Sequence, residues 1–234
     1  MSAESSFKTI AIIGAMQEEI TPLLEHFSDY ERIEIGGNVY YKITQGAKNI
    51  IIAYSKIGKI YASLTCAVMI LRFGAECVIF SGVAGGLQNL KVGDMILATS
   101  LCQYDVDITA FGHPLGFIPE SKIHFDTSEQ LNKVARFVAK EQGIALKEGI
   151  IASGDSFVSN MAKKRWIIQH FNAAAVEMEG ISIAVVASEL KVPFCVIRSI
   201  SDSADDEANI SFDEFLAESA TKSAKFVLSM IENL

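Results

Sequence analysis

Residues 192–205 read VPFCVIRSISDSAD, and the stretch Val192–Ile200 decides the fold class. Its apolar residues are continuous rather than alternating, the mark of a strand covered on both faces. Arg198 is the exception, and an arginine in such a strand implies a buried carboxylate or a ligand as its partner. Asp202 follows the strand beside Ser201. It suits either of two roles: an acid in a cleft, or a helix cap ahead of the solvated acidic loop Asp205–Glu207.

The same continuous apolarity recurs outward from this stretch at Lys8–Gly14, Asn49–Tyr54, Cys77–Gly82, Asp94–Thr99, Ala174–Met178 and around Gly149–Ala152. Between these runs, Gln17–Phe27, Ile60–Phe73, Ser128–Gln142, Lys163–Phe171, Glu179–Leu190 and Ser211–Asn233 carry helical patterns. Ser211 and Glu214 have the spacing of a capping box at the start of the last helix. The alternation predicts a three-layer α/β/α domain around a central mixed sheet. With no internal repeat, no low-complexity linker and four prolines, the 234 residues are expected to form a single domain over 1–234.

Composition removes several function classes. The chain has 20 Lys+Arg against 28 Asp+Glu, a net charge of −8 without a basic cluster, which argues against nucleic-acid backbones and anionic lipid. No stretch approaches the roughly 20 apolar residues of a membrane helix. The short apolar run Thr9–Met16 meets Glu18 and Glu19 where a leader would need small residues. The four cysteines, Cys66, Cys77, Cys102 and Cys195, are widely spaced among apolar neighbours and read as reduced core residues. The expectation is a soluble cytoplasmic protein.

In α/β sheets ligands gather beyond the carboxyl ends of the strands, so the residues that follow each strand matter most. They are Gly14-Ala15-Met16-Gln17-Glu18-Glu19, Ser81–Gly86, Ser153–Phe157, Glu177-Met178-Glu179-Gly180 and Ser201–Asp205. Gly14-Ala15-Met16 does not satisfy a dinucleotide fingerprint, and Glu18 and Glu19 would repel a pyrophosphate at that helix start. Glu18 reads as an ordinary first-turn acid; Glu19 stays open between that role and a place in a site. Ser81–Gly86 is either a tight turn or a backbone that approaches a flat or sugar-like ligand closely. Glu177 and Glu179 flank Met178 where a buried strand becomes a helix, either as a solvated turn or as carboxylates for a ribose-like diol. His26, His113, His124 and His170 lack metal-ligand spacing and there is no serine elbow, so no metal and no cofactor are expected. Carboxylates are left to do acid/base chemistry on a bond that leaves cationic character behind.

Nine blocks in collinear order then carry a family resemblance: IIGAMQEEI (12–20), SKIGKIYASL (55–64), SGVAGGL (81–87), KVGDMILAT (91–99), DVDITAFG (105–112), ASGDSFV (152–158), AVEMEG (175–180), VIRSISDSAD (196–205) and SFDEFL (211–216). The chain resembles the 5′-methylthioadenosine/S-adenosylhomocysteine nucleosidases, of the purine nucleoside phosphorylase-like fold. The resemblance implies hydrolysis of the adenine–ribose bond without metal or cofactor. It implies Asp202 as the acid that protonates the departing adenine at N7, with Ser201 orienting it. Glu19 is then the residue that holds the attacking water, and Glu179 the one that binds the ribose hydroxyls. Arg198 and Met178, with Glu177, Val83 and Gly85, fall on the ribose side. Phe157 stacks on adenine, and the Val158 backbone reads its edge. Met16, Ile57 and Phe212 surround the alkylthio group, with Ile108, Phe111 and Pro119 supplied by the second subunit of a homodimer.

Two positions depart from the family pattern. Lys56 stands where many members have glycine, and Val83 where many have a serine that contacts the water or sugar. Some members with such variations also cleave 6-amino-6-deoxyfutalosine in a menaquinone pathway. The alternatives are a phosphorylase of the same fold and a non-catalytic nucleoside-binding protein. Against the first, a phosphate dianion beside Glu18 and Glu19 meets repulsion of about 1–4 kcal/mol per contact at 4 Å. Against the second, all three carboxylates are present.

Overall fold

The structure, a computed structural model, describes residues 7–234; residues 1–6 of the expected domain lie outside them. The strands are β1 (Thr9–Gly14), β2 (Glu31–Ile35), β3 (Asn38–Gln45), β4 (Lys48–Tyr54), β5 (Cys77–Gly86), β6 (Met95–Gln103), β7 (His124–Asp126), β8 (Leu146–Ser153), β9 (Ala175–Glu177) and β10 (Phe194–Asp202). The helices are α1 (Gln17–His26), α2 (Lys59–Phe73), α3 (Glu129–Glu141), α4 (Met161–Phe171), α5 (Gly180–Glu189) and α6 (Ala208–Glu232). All ten strands join one mixed sheet.

The continuous apolarity has the predicted cause. In β1, Ile10 and Ile12 face one side, where they pack with Ile20 and Leu23 of α1, Leu131 of α3 and Phe226 of α6. Ala11 and Ile13 face the other side, with Ala62 and Cys66 of α2 and Ala184 of α5. Helices therefore cover both faces, and burying each isoleucine contributes about 1.5–3 kcal/mol. All four cysteines are free and buried. No helix among the described residues is long and apolar enough to cross a membrane.

One local expectation is corrected, one open alternative is decided and one element is new. The glycine-rich segment Ser81–Gly86 is no turn: β5 runs through it, pairing with β1 up to Phe80, with β10 throughout and with β9 at Gly85 and Gly86. This change of partner closes β5, β10, β6, β8 and β9 into a ring beside the open sheet of β1, β4, β3 and β2. The capping box at Ser211 does not form either. Ala208 is fully buried, so α6 starts a turn earlier, and the Ser211 amide already donates to the Glu207 carbonyl at 3.2 Å. The β2–β3 hairpin was not expected. It turns at Gly36 and Gly37, both with positive φ, as a tight two-residue hairpin requires.

Candidate active site

The carboxyl ends of β1, β4, β5, β8, β9 and β10, with the first turns of α6, converge on a cleft of about 420 Å³. Ala15, Met16, Glu19, Ile57, Val83, Gly85, Phe157, Glu177, Met178, Glu179, Ser201, Asp202 and Phe212 all line it. Val158 lines a small adjoining recess with Gly85, Phe157 and Asp202. Arg198 lies behind the wall, 1% exposed.

The first turn of α1 separates its two acids. Glu18 is exposed, as an ordinary first-turn acid should be, and Glu19 is buried. The Glu19 carboxylate accepts the Met16 amide at 3.0 Å, the Ala15 amide, and the Val83 amide from β5 at 2.9 Å. Burial pushes its pKa up, while the Arg198 guanidinium and these three amides pull it back. Gly82 makes this approach possible. A Cβ there would stand 2.2 Å from Glu19 Oε1 and 2.4 Å from Arg198 Nη1, so only glycine leaves room for both groups over β5.

Asp202 reaches the same strand further along, where a Cβ on Gly85 would stand 2.8 Å from its Oδ1. Its Oδ1 accepts the Ala204 amide at 2.8 Å and its Oδ2 the Ser201 hydroxyl at 2.9 Å. Burial raises its pKa against these two donors, and Asp205 adds to the rise while Lys164 opposes it. Glu19 at Gly82–Val83 and Asp202 at Gly85 are thus two to three residues apart along β5, about 7–10 Å.

The carboxylates of the β9–α5 turn divide the work. Glu177 is the partner that Arg198 required: Nη2 donates to it at 2.6 Å, and Ser153 Oγ and the Glu179 and Gly180 amides donate as well. With four donors, Glu177 is occupied in building the turn. Arg198 stacks on the Phe80 ring at 3.8 Å, and its Nη1, close to Glu19 at Gly82, has no partner among the described residues. Glu179 is buried with one donor, the Gly58 amide at 2.7 Å.

Burial and the charge of Glu177 push Glu179 up to about 8, against Arg198 and the Gly58 amide. The native chain therefore keeps a proton that the unfolded chain releases above about 4.5. The ligand-free fold accordingly loses stability as pH rises from that value to about 8. A Glu179→Gln variant, which cannot ionise, is expected to flatten this slope. In thermal unfolding its midpoint should match the unmodified protein near pH 5 and exceed it at pH 8; parallel curves would refute the assignment.

Phe157 is 44% exposed and meets Phe212 edge-on at 5.5 Å, so the two rings flank the cleft mouth. Ile108, Phe111 and Pro119 do not line this cleft; they belong to the segment after β6, where Phe111 is 81% exposed. Lys56 has a φ of +73°, a left-handed backbone that strains any residue with a Cβ. Val83 contributes its amide to Glu19 and its side chain to the cleft wall. Asn209 and Asp213 also line the cleft. Sequence reasoning missed them because it started the helix at Ser211; with the start at Ala208, Asn209, Phe212 and Asp213 fall on one helical face. Among the described residues no group of His, Cys, Asp and Glu side chains is arranged to hold a metal ion.

Residues 9–232 match the model of the phosphorylase superfamily. The chain is 57% identical over 227 residues to an aminodeoxyfutalosine nucleosidase of Helicobacter pylori, covering 96% of this chain and 98% of that one. It is 38% identical over 227 residues to a 5′-methylthioadenosine/S-adenosylhomocysteine nucleosidase of Staphylococcus carnosus, covering 96% and 100%. Among solved structures, a Helicobacter pylori 5′-methylthioadenosine/S-adenosylhomocysteine nucleosidase with butyl-thio-DADMe-Immucillin-A superposes with a TM-score of 0.95 at 56% identity, covering 97% of this chain and 99% of that one.

Proposed function

The chain belongs to the phosphorylase superfamily and, within it, to the 5′-methylthioadenosine/S-adenosylhomocysteine and aminodeoxyfutalosine nucleosidases, and from this we propose that it hydrolyses the N-glycosidic bond of adenine nucleosides carrying a 5′ substituent. The products are adenine and the 5-substituted ribose. The observation that carries the reading is the pair of buried carboxyls, Glu19 and Asp202, set apart along β5 with Glu179 in the same cleft.

Asp202, whose pKa burial raises, donates a proton to adenine N7 as the base leaves, and Ser201 fixes its orientation. Positive charge then grows on the ribose. Glu179 accepts the ribose hydroxyls, and the growing charge favours its anionic form. Glu19 holds and deprotonates the attacking water. Phe157 stacks on adenine beside the Val158 backbone, while Met16, Ile57 and Phe212 take the alkylthio end. Met178 and Gly85 line the ribose side, with Val83 as an apolar wall. The separation of Glu19 and Asp202 leaves room for a sugar and a water between them.

The substrates follow the relatives: 5′-methylthioadenosine, S-adenosylhomocysteine and 6-amino-6-deoxyfutalosine, the last favoured by the higher identity of the relatives that bear its name. The chain works as one domain and as a homodimer. Ile60, Tyr61, Leu64 and Leu71 on α2 are each 48–80% exposed, an apolar stripe suited to a second copy. Across that contact Ile108, Phe111 and Pro119 complete the neighbouring cleft. Four buried free thiols suit the cytoplasm.

Purified protein with 5′-methylthioadenosine or 6-amino-6-deoxyfutalosine, in phosphate-free buffer with EDTA, should release adenine, measured by chromatography. A sugar 1-phosphate formed only on adding phosphate would reassign it as a phosphorylase. Saturable binding without cleavage would make it a binding protein.

A further inference from the structure

Helix α2 begins with a charge of the wrong sign. Lys59 is its first residue, and no acid stands in its first turn, although cations are unfavourable at a helix N-terminus. Gly58, the cap residue, has no side chain to accept the free amides. Two distant carboxylates do so instead: Glu179 accepts the Gly58 amide at 2.7 Å and Asp155 Oδ1 the Lys59 amide at 2.9 Å.

The Lys59 ammonium is fixed by further bonds. It donates to both oxygens of Asp105, at 2.7 and 2.8 Å, and lies 3.5 Å from Asp155 Oδ2. Asp105 also accepts the Asp155 amide at 2.9 Å and Gln103 Nε2 at 3.0 Å. The Lys59 side chain is only 16% exposed, while Asp105 and Asp155 are 29% and 48% exposed, so the lysine end of each pair is the shielded one. Gly58 has a φ of +102°, and a Cβ there would touch Asp155 Oδ1 at 3.4 Å. One cluster therefore ties the ends of β6 and β8 to the start of α2, whose cap amide rests on Glu179.

We propose that Lys59, Asp105 and Asp155 are positioning residues for ribose recognition: by pinning the first turn of α2 they hold the Gly58 amide on Glu179 Oε1, which aims the other carboxylate oxygen at the ribose hydroxyls. The inference rests on the nucleosidase reading and on Glu179 as the diol-binding group. None of the three lines the cleft, so their influence passes through Glu179.

The test is a cycle between enzyme and substrate. Lys59→Met should lower kcat/KM for 5′-methylthioadenosine about 10-fold, the scale of a misplaced binding group. With the 2′,3′-dideoxy analogue, which offers Glu179 no hydroxyl, the loss should shrink to about 2-fold. Lys59→Arg, which can still pair with Asp105, should recover most of the difference. Asp105→Asn gives a second route should Lys59→Met fold poorly, with circular dichroism as the control. Equal losses on both substrates in a folded variant would reduce the cluster to a structural staple and overturn the inference while leaving the nucleosidase reading intact. No adenine release from the unmodified protein would remove that reading, and the inference with it.

Discussion

Asp202→Asn is expected to lower kcat about 10²–10⁴-fold, the contribution of a positioned general acid, while leaving the fold unchanged. The native carboxyl is buried and shifted toward its neutral form, so an isosteric neutral amide brings no new charge to bury. Its oxygen can keep the Ala204 amide at Oδ1. The thermal midpoint should therefore stay within about 4 °C of the unmodified protein, the shift that about 1 kcal/mol produces at this size. Because the acid must carry its proton, the unmodified rate should fall as pH rises through the raised pKa of Asp202. The residual rate of the variant should lack that limb. Unmodified turnover in the variant, or an unchanged alkaline limb, would remove Asp202 as the acid.

Glu19→Gln should also cost about 10²–10⁴-fold in kcat, yet with a different signature. Glu19 accepts three backbone amides, from Ala15, Met16 and Val83. A glutamine has one oxygen for these donors, and whichever way it turns, its NH₂ faces an N–H. One buried donor loses its acceptor, at about 1–3 kcal/mol. The variant should be slow and also measurably less stable, in contrast to Asp202→Asn. Denaturant unfolding of the two side by side checks this; equal stability of both would contradict the amide cradle. Adenine binding should survive in Glu19→Gln, since Phe157 and Asp202 lie elsewhere in the cleft.

What the sequence made legible follows from where each signal originates. Buried strands announce themselves through continuous apolarity, and β1, β5 and β10 were found that way. The β2 segment Glu31–Ile35 alternates, as one-sided strands do, and the two glycines after it were the available hairpin signal. Arg198 was legible as a charge in need of a partner, but its choice of Glu177 over Glu179 depends on the β9–α5 turn. That turn also explains why the two carboxylates could not be assigned from spacing: Glu177 is spent on four donors and Glu179 on one. Glu18 read as an ordinary first-turn acid while Glu19 stayed open, because what places Glu19 in the site is the rotation of α1. The Lys59 cluster left no mark, since its members come from three separate segments.

The order of strands in the sheet has a consequence for how the chain comes into being. β10, the last strand in order among the described residues, does not add to an edge; it inserts between β5 and β6 and pairs with both. The final helix, α6, then packs on α1, the first. The chain through Asp202 must therefore be available before this central strand can enter. Until then β5 and β6 present unpaired backbone, which invites pairing with other chains. A fragment ending short of β10 has these two strands open, so truncation there is expected to yield aggregation-prone material.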